Sequence, residues 1–130
     1  MVAIDTNIAV RLLVNDDPKQ TAKARILFEN NKIFIPKTVV LEAEWVLRGV
    51  YNLERGTINN ALKSLLSLEQ VVIEDETVLF EALDSHQLGM DFADAVHLAS
   101  SRLANSFATF DTKLRSSAKK LALKPAVVTP

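Results

Sequence analysis

Short apolar runs alternate along this chain with longer stretches whose hydrophobic positions recur every three to four residues. "VAID" at 2–5, "IFIP" at 33–36, "VVI" at 71–73 and "SFATF" at 106–110 are continuous runs too short for helices, and they predict buried strands. Pro36 stops the second of them, and "AVV" at 126–128 is the candidate edge strand. Helical periodicity covers 7–14, 18–30, 38–51, 57–68, 76–88 and 92–104, with a further basic helix after Asp111. Asp17 and Pro18 supply an N-cap and a first-turn proline for the second of these. Strands separated by helices pair in parallel through right-handed crossovers. The expected fold is therefore α/β, a three-layer α/β/α sandwich with a mainly parallel central sheet, formed by residues 1–130 as one domain. In such sheets ligands collect at the carboxyl ends of the strands.

Composition narrows the chemistry. The chain has no cysteine, which removes disulfides, thiolate metal sites and a cysteine nucleophile but leaves oxygen-ligand metal chemistry open. It has no apolar run near the roughly 18 residues that a membrane span needs, and its first residues lack the pattern of a secretory signal, so a cytoplasmic protein is expected. A net charge of -1 hides an asymmetry. Residues 69–94 are rich in acids, whereas after Asp111 the only charged residues are the bases Lys113, Arg115, Lys119, Lys120 and Lys124. Such a basic section can meet phosphates, although a solvated helix face explains it as well.

Several carboxylates sit where a fold would not ordinarily put them. Asp5 ends the first apolar strand and Asp111 ends "SFATF", each just before a helix, where an acid serves either as an N-cap or as a group at the edge where sites form. "TVVLEAEWVLR" offers two glutamates. Glu44 has Arg48 four residues on and reads as a surface ion pair; Glu42 has Val39, Trp45 and Val46 as helical neighbours and reads as a carboxylate on an apolar face. In "GMDFADAVHLAS", Asp91 and Asp94 fit a capping pair, but Asp94 also lies among Ala93, Ala95, Val96, Leu98 and Ala99 on a helix apolar almost all round. Asp5, Glu42, Asp94 and Asp111 thus form a four-acid set. Brought together they need a compensating charge, and hard oxygen donors select Mg²⁺ or Mn²⁺, which activates water for phosphodiester cleavage. His97 reads as a core histidine more readily than a ligand, His86 as surface, and Trp45 as either core or part of an exposed apolar groove.

These residues resemble a known family. "AIDTNIAVRLL", "IPKTVVLEAEWVLR", "GMDFADAVHLA" and "FATFDTKL" stand in the order and spacing of the PIN-domain ribonucleases, with the nearest likeness to VapC-type toxins of bacterial toxin–antitoxin modules. The resemblance implies a Mg²⁺- or Mn²⁺-dependent endoribonuclease, homodimeric, cutting structured RNA such as tRNA or rRNA. It further implies inhibition by a VapB-like antitoxin, through which alone the complex would reach operator DNA. Carried over, Asp5, Glu42 and Asp94 are core metal ligands, Asp111 completes the acidic pocket and Asp91 is an auxiliary ligand. Thr6 and Asn7 orient Asp5, and Thr109 is the small polar residue before the last acid. Arg11, Lys113, Arg115 and Lys119 are candidates for RNA phosphate contacts on charge alone.

Other classes stay open on the residues. An aspartyl phosphatase would use Asp5, but its D-x-D motif meets Asn7 at the second acid, and trapping of a phosphorylated Asp5 would be needed to restore it. A PIN-domain nuclease of RNA processing outside a toxin–antitoxin module fits the same motifs. A non-catalytic partner-binding domain would have no use for the full set of acids, and would show no binding of Mg²⁺ or Mn²⁺ at millimolar concentration.

Overall fold

Local chemistry sets where each element begins. Asp17 accepts a hydrogen bond from the Gln20 N–H at 3.1 Å and Pro18 follows it, which starts a helix at the predicted residue. The computed structural model describes all 130 residues, which form two compact units, Met1–Asp75 and Glu76–Pro130.

The first unit holds β1 (Val2–Ala3), α1 (Thr6–Leu13), α2 (Pro18–Asn30), β2 (Ile33–Ile35), α3 (Lys37–Gly49), α4 (Arg55–Leu66) and β3 (Val71–Ile73). The strands pair in parallel in the order β1-β2-β3, with Val2 opposite Ile33 and Ile33 opposite Val71. Central β2 is the most hydrophobic and the most covered: Ile33 and Ile35 have no exposed surface. Val40, Ala43 and Leu47 of α3 and Ile58 and Leu62 of α4 are also buried. The start of α3 is closed from outside its own segment. Pro36 has no capping side chain, and the Glu74 carboxylate beyond β3 accepts from the Lys37 N–H at 2.8 Å, while the Lys37 ammonium pairs with Asp75 at 2.9 Å. Part of the acidic stretch is thereby structural.

The second unit holds α5 (Glu76–Gln87), α6 (Phe92–Ala99), β4 (Ser106–Ala108), α7 (Thr112–Lys120) and β5 (Ala126–Val128). β4 and β5 are parallel, joined through α7. Gly89 takes φ +111° in the turn between α5 and α6, a backbone setting that suits glycine. α7 ends in a Schellman turn, with Leu123 N–H bonded to Ala118 C=O at 2.9 Å and Ala122 N–H to Lys119 C=O at 3.1 Å. Ala122 occupies the left-handed position, φ 53°, where glycine is the favoured residue.

The expected α/β class with parallel strand pairing holds, as do all five strands and seven helices. α6 is shorter than predicted. It ends at Ala99 rather than near 104, because Ser101 Oγ donates to His97 C=O at 2.7 Å and the following polar residues continue as turns. No helix is long and apolar enough to cross a membrane.

Candidate active site

β1 runs directly into α1, and the residue at the junction is Asp5. Its Oδ1 accepts from the Ile8 N–H at 3.1 Å, so Asp5 is the N-cap of α1. Glu42 comes from α3. Together Asp5, Thr6, Asn7 and Glu42 line a cavity of about 340 Å³ that also includes Arg11 and Tyr51. Arg11 is held from three sides: Nε donates to Gln20 Oε1 at 2.6 Å, and Nη1 donates to Asp16 Oδ1 at 3.0 Å and to the Tyr51 hydroxyl at 3.2 Å. Tyr51 in turn donates to Asp16 Oδ2 at 2.8 Å. The Tyr51 hydrogen bond, with the charge of Asp16 behind it, raises the guanidinium pKa further. Arg11 is therefore a fixed cation in the cavity of the two acids, and its charge is already shared with Asp16.

The two glutamates of α3 exchange the environments the sequence suggested. Glu44 is buried, 3% exposed, and meets Arg48 through Nε–Oε2 at 2.9 Å and Nη2–Oε1 at 3.3 Å. The pairing with Arg48 is the expected one, but the pair's carboxylate is buried rather than on the surface. Glu42 is exposed. The inward stripe of α3 is Val39, Val40, Ala43, Glu44 and Leu47, so position 44 falls within the stripe and position 42 beside it. Glu42 reaches the cavity of Asp5 from that flank rather than from an apolar face. Trp45, 57% exposed, is not core.

In the second unit the acids act on one another. Asp91 is the N-cap of α6, its Oδ2 accepting from the Asp94 N–H at 3.0 Å. Asp111 is the N-cap of α7, its Oδ1 accepting from Lys113 and Leu114 N–H at 2.9 and 3.1 Å. Thr109 Oγ1 accepts from the Asp111 N–H at 3.0 Å, which fixes the approach to that cap. Asp94 is half-buried on the first turn of α6. Burial pushes its carboxyl pKa up, the negative charges of Asp91 and Asp111 push it further, and His97 and Lys113 pull it back in part. Lys113, Arg115 and Lys119 lie exposed on α7, and Arg115 donates to Thr129 Oγ1 at 3.1 Å.

Both histidines depart from expectation. His97 is exposed beside Asp94 rather than core, and His86 is 2% exposed, with its ring set edge-on to Phe92 at 5.5 Å and 72°. The signal for His86 was present in the sequence, since Leu79, Ala82, Leu83 and His86 follow the i, i+3, i+4, i+7 pattern of a buried face. Glu74, which closes α3, carried no such signal because its partner is 37 residues away.

Asp5 and Glu42 thus share one cavity, and Asp91, Asp94 and Asp111 share one field. Within neither unit do three acids or imidazoles stand close enough to hold an ion by themselves. The donor chemistry nonetheless fits a hard divalent cation. All the candidates are carboxylates, each capping aspartate has its hydrogen bonds on one oxygen, and the raised Asp94 pKa marks a group that gains from added positive charge. Another cavity, about 1020 Å³, lies between α5, α6 and the segment after α7, and none of these acids lines it.

A family model described as PIN domain matches residues 2–120. No curated protein matches the chain.

Proposed function

Since the chain belongs to the PIN-domain family, whose members are generally metal-dependent nucleases, we propose that it is a Mg²⁺- or Mn²⁺-dependent endoribonuclease. In this reading it is the cytoplasmic toxin of a type II toxin–antitoxin pair, cutting structured RNA such as tRNA or rRNA, with residues 1–130 serving as one PIN-like domain. The observation that carries the reading is Asp94: a half-buried carboxylate whose first two neighbours in effect are further carboxylates is a poor structural choice and a good cation ligand.

Asp5, Glu42, Asp94 and Asp111 are the ligand set, with Asp91 as auxiliary. When bound, the divalent ion supplies a water of lowered pKa and offsets charge on the phosphodiester. The chain's own part is orientation. Capping holds one oxygen of Asp5, Asp91 and Asp111 against helix N–H groups and leaves the other for a ligand. Thr109 steadies Asp111, Thr6 and Asn7 line the wall beside Asp5, and Arg11 offers a preset positive charge to a phosphate. For a partner, an apolar cleft of about 310 Å³ in the first unit, with Leu12, Leu13, Phe28, Leu65 and Leu68 in its walls, suits a VapB-like antitoxin segment. Exposed Trp45 and Val50 suit a homodimer contact.

The test is cleavage of total RNA with Mg²⁺ or Mn²⁺ and with EDTA. Metal-dependent fragments from the unsubstituted protein, absent for Asp5→Ala and Asp94→Ala with circular dichroism unchanged, support the nuclease. Wild-type cleavage by either variant removes that residue from the ligand set. Growth arrest on expression, relieved by a co-expressed antitoxin, separates a toxin from an RNA-processing nuclease of the same family.

A further inference from the structure

Phe110, the residue just before Asp111, is 82% exposed. The reason is local. Along β4 and the two residues after it, the inward positions are Phe107 and Thr109, both half-buried, and continued alternation turns Phe110 outward. A residue preceding a helix cap is often drawn back onto an apolar side chain at the fourth helical position. In α7 that position is Arg115, and the ring has no apolar seat there.

The helix that follows has one inward face, Leu114 and Ala118, and an outward face carrying Lys113, Arg115, Lys119 and Lys120. No acid follows Asp111 in the chain. Lys113 is near enough to Asp94 to act on its charge. An open aromatic face thus stands next to a candidate ligand, at the head of a basic helix. Unpaired bases stack on aromatic rings while their phosphates pair with lysine and arginine, and this combination serves single strands; a base inside a duplex has both faces already stacked.

We propose that Phe110 is a stacking platform for an unpaired base of a single-stranded RNA segment, with Lys113 and Arg115 on the exposed face of α7 taking the adjoining phosphates. The proposal rests on the nuclease reading above and gives it a substrate-positioning residue, Phe110.

Binding of a fluorescein-labelled single-stranded RNA of mixed sequence is measured in an Asp94→Asn background, and cleavage of total RNA is measured in the unsubstituted protein and its Phe110 variants. Phe110→Ala weakens binding about 5- to 100-fold, Phe110→Trp restores it and Phe110→Leu does not. Lys113→Ala and Arg115→Ala each lower the slope of log affinity against log salt by about 0.7. An RNA duplex binds the Phe110→Ala protein as well as its parent. Equal single-strand binding by Phe110→Leu and the parent, or no loss with Phe110→Ala, overturns the platform. If no protein cuts RNA but binding still requires the aromatic ring, the nuclease reading falls and the stacking surface stands. If cleavage is metal-dependent and indifferent to Phe110, the stacking surface falls and the nuclease stands.

Discussion

In the first unit Asp5 and Glu42 share their cavity with the Arg11 guanidinium, while in the second Asp94 is set against two more carboxylates, Asp91 and Asp111, with His97 and Lys113 as partial counterweights. One group brings its own cation, and the other is left in deficit. The halves also differ in backbone comfort. Left-handed positions in the first fall on Asn52 and Asp75, whose short polar side chains tolerate them, but in the second one falls on Ala122. The contrast teaches that electrostatic and conformational cost concentrate in the half that carries Asp94, which is where a bound ion would act most strongly on stability.

The largest expected effect would break the contrast if it failed. Asp5→Asn and Asp94→Asn should each lower metal-dependent RNA cleavage by roughly 10²- to 10³-fold or more, read in single-turnover assays. Loss with Asp94→Asn alone would mean that Asp5 is not a ligand. Metal should also stabilise the fold. At a hundred times its Kd, Mn²⁺ is expected to add about 2.7 kcal/mol to unfolding, by thermal or denaturant titration, and Asp94→Asn should remove most of that gain.

Next in size is a stability effect confined to the first unit. Arg48→Ala leaves the Glu44 carboxylate buried without its guanidinium and should cost about 2 kcal/mol in urea unfolding. In the second unit the matching experiment runs the other way: Ala122→Gly should stabilise by about 1 kcal/mol by relieving the left-handed alanine. Asn52→Gly should change little.

The smallest effect is on pH dependence without metal. Asp94 has a raised pKa in the folded chain, so the fold favours its protonated form. Its contribution to stability is fully present below the unfolded value, about 3.9, and is lost as pH rises through the folded value. In EDTA at neutral pH, Asp94→Asn should therefore raise Tm by about 1–2 °C and flatten the Tm profile over the mildly acidic range. A lower Tm for Asp94→Asn would show that the carboxylate is satisfied within the protein.

Most of the fold was legible because its signals are local. Pro18 after Asp17, the short β-branched runs and the 3.6-residue periodicities each act within one turn or one strand. The capping aspartates were legible for the same reason, since Asp5, Asp91 and Asp111 bond to N–H groups two or three residues on. What escaped depended on which way a helix faces. Glu42 and Glu44 differ by two residues on one helix, and only the packing of Val40, Ala43 and Leu47 decides which of them is inside. The burial of His86 follows from its register with Leu79 and Leu83, not from its residue type. The closure of α3 by Glu74, and of Arg11 by Tyr51, joins segments far apart in the chain, and no local pattern announces such a contact.

Asp5, Asp91 and Asp111 each begin a helix, so if the chain has the proposed nuclease activity, a lineage that lost it would still be held to them by the need to fold. Asp94 has no such protection. Were the proposed metal no longer needed, Asp94 would be a residue the folded chain is better without, and mutation would be free to replace it early. A decayed descendant of such a nuclease would therefore keep an intact row of helix-starting aspartates and look catalytically equipped, and the residue at position 94 would be the one to read for whether the proposed activity survives.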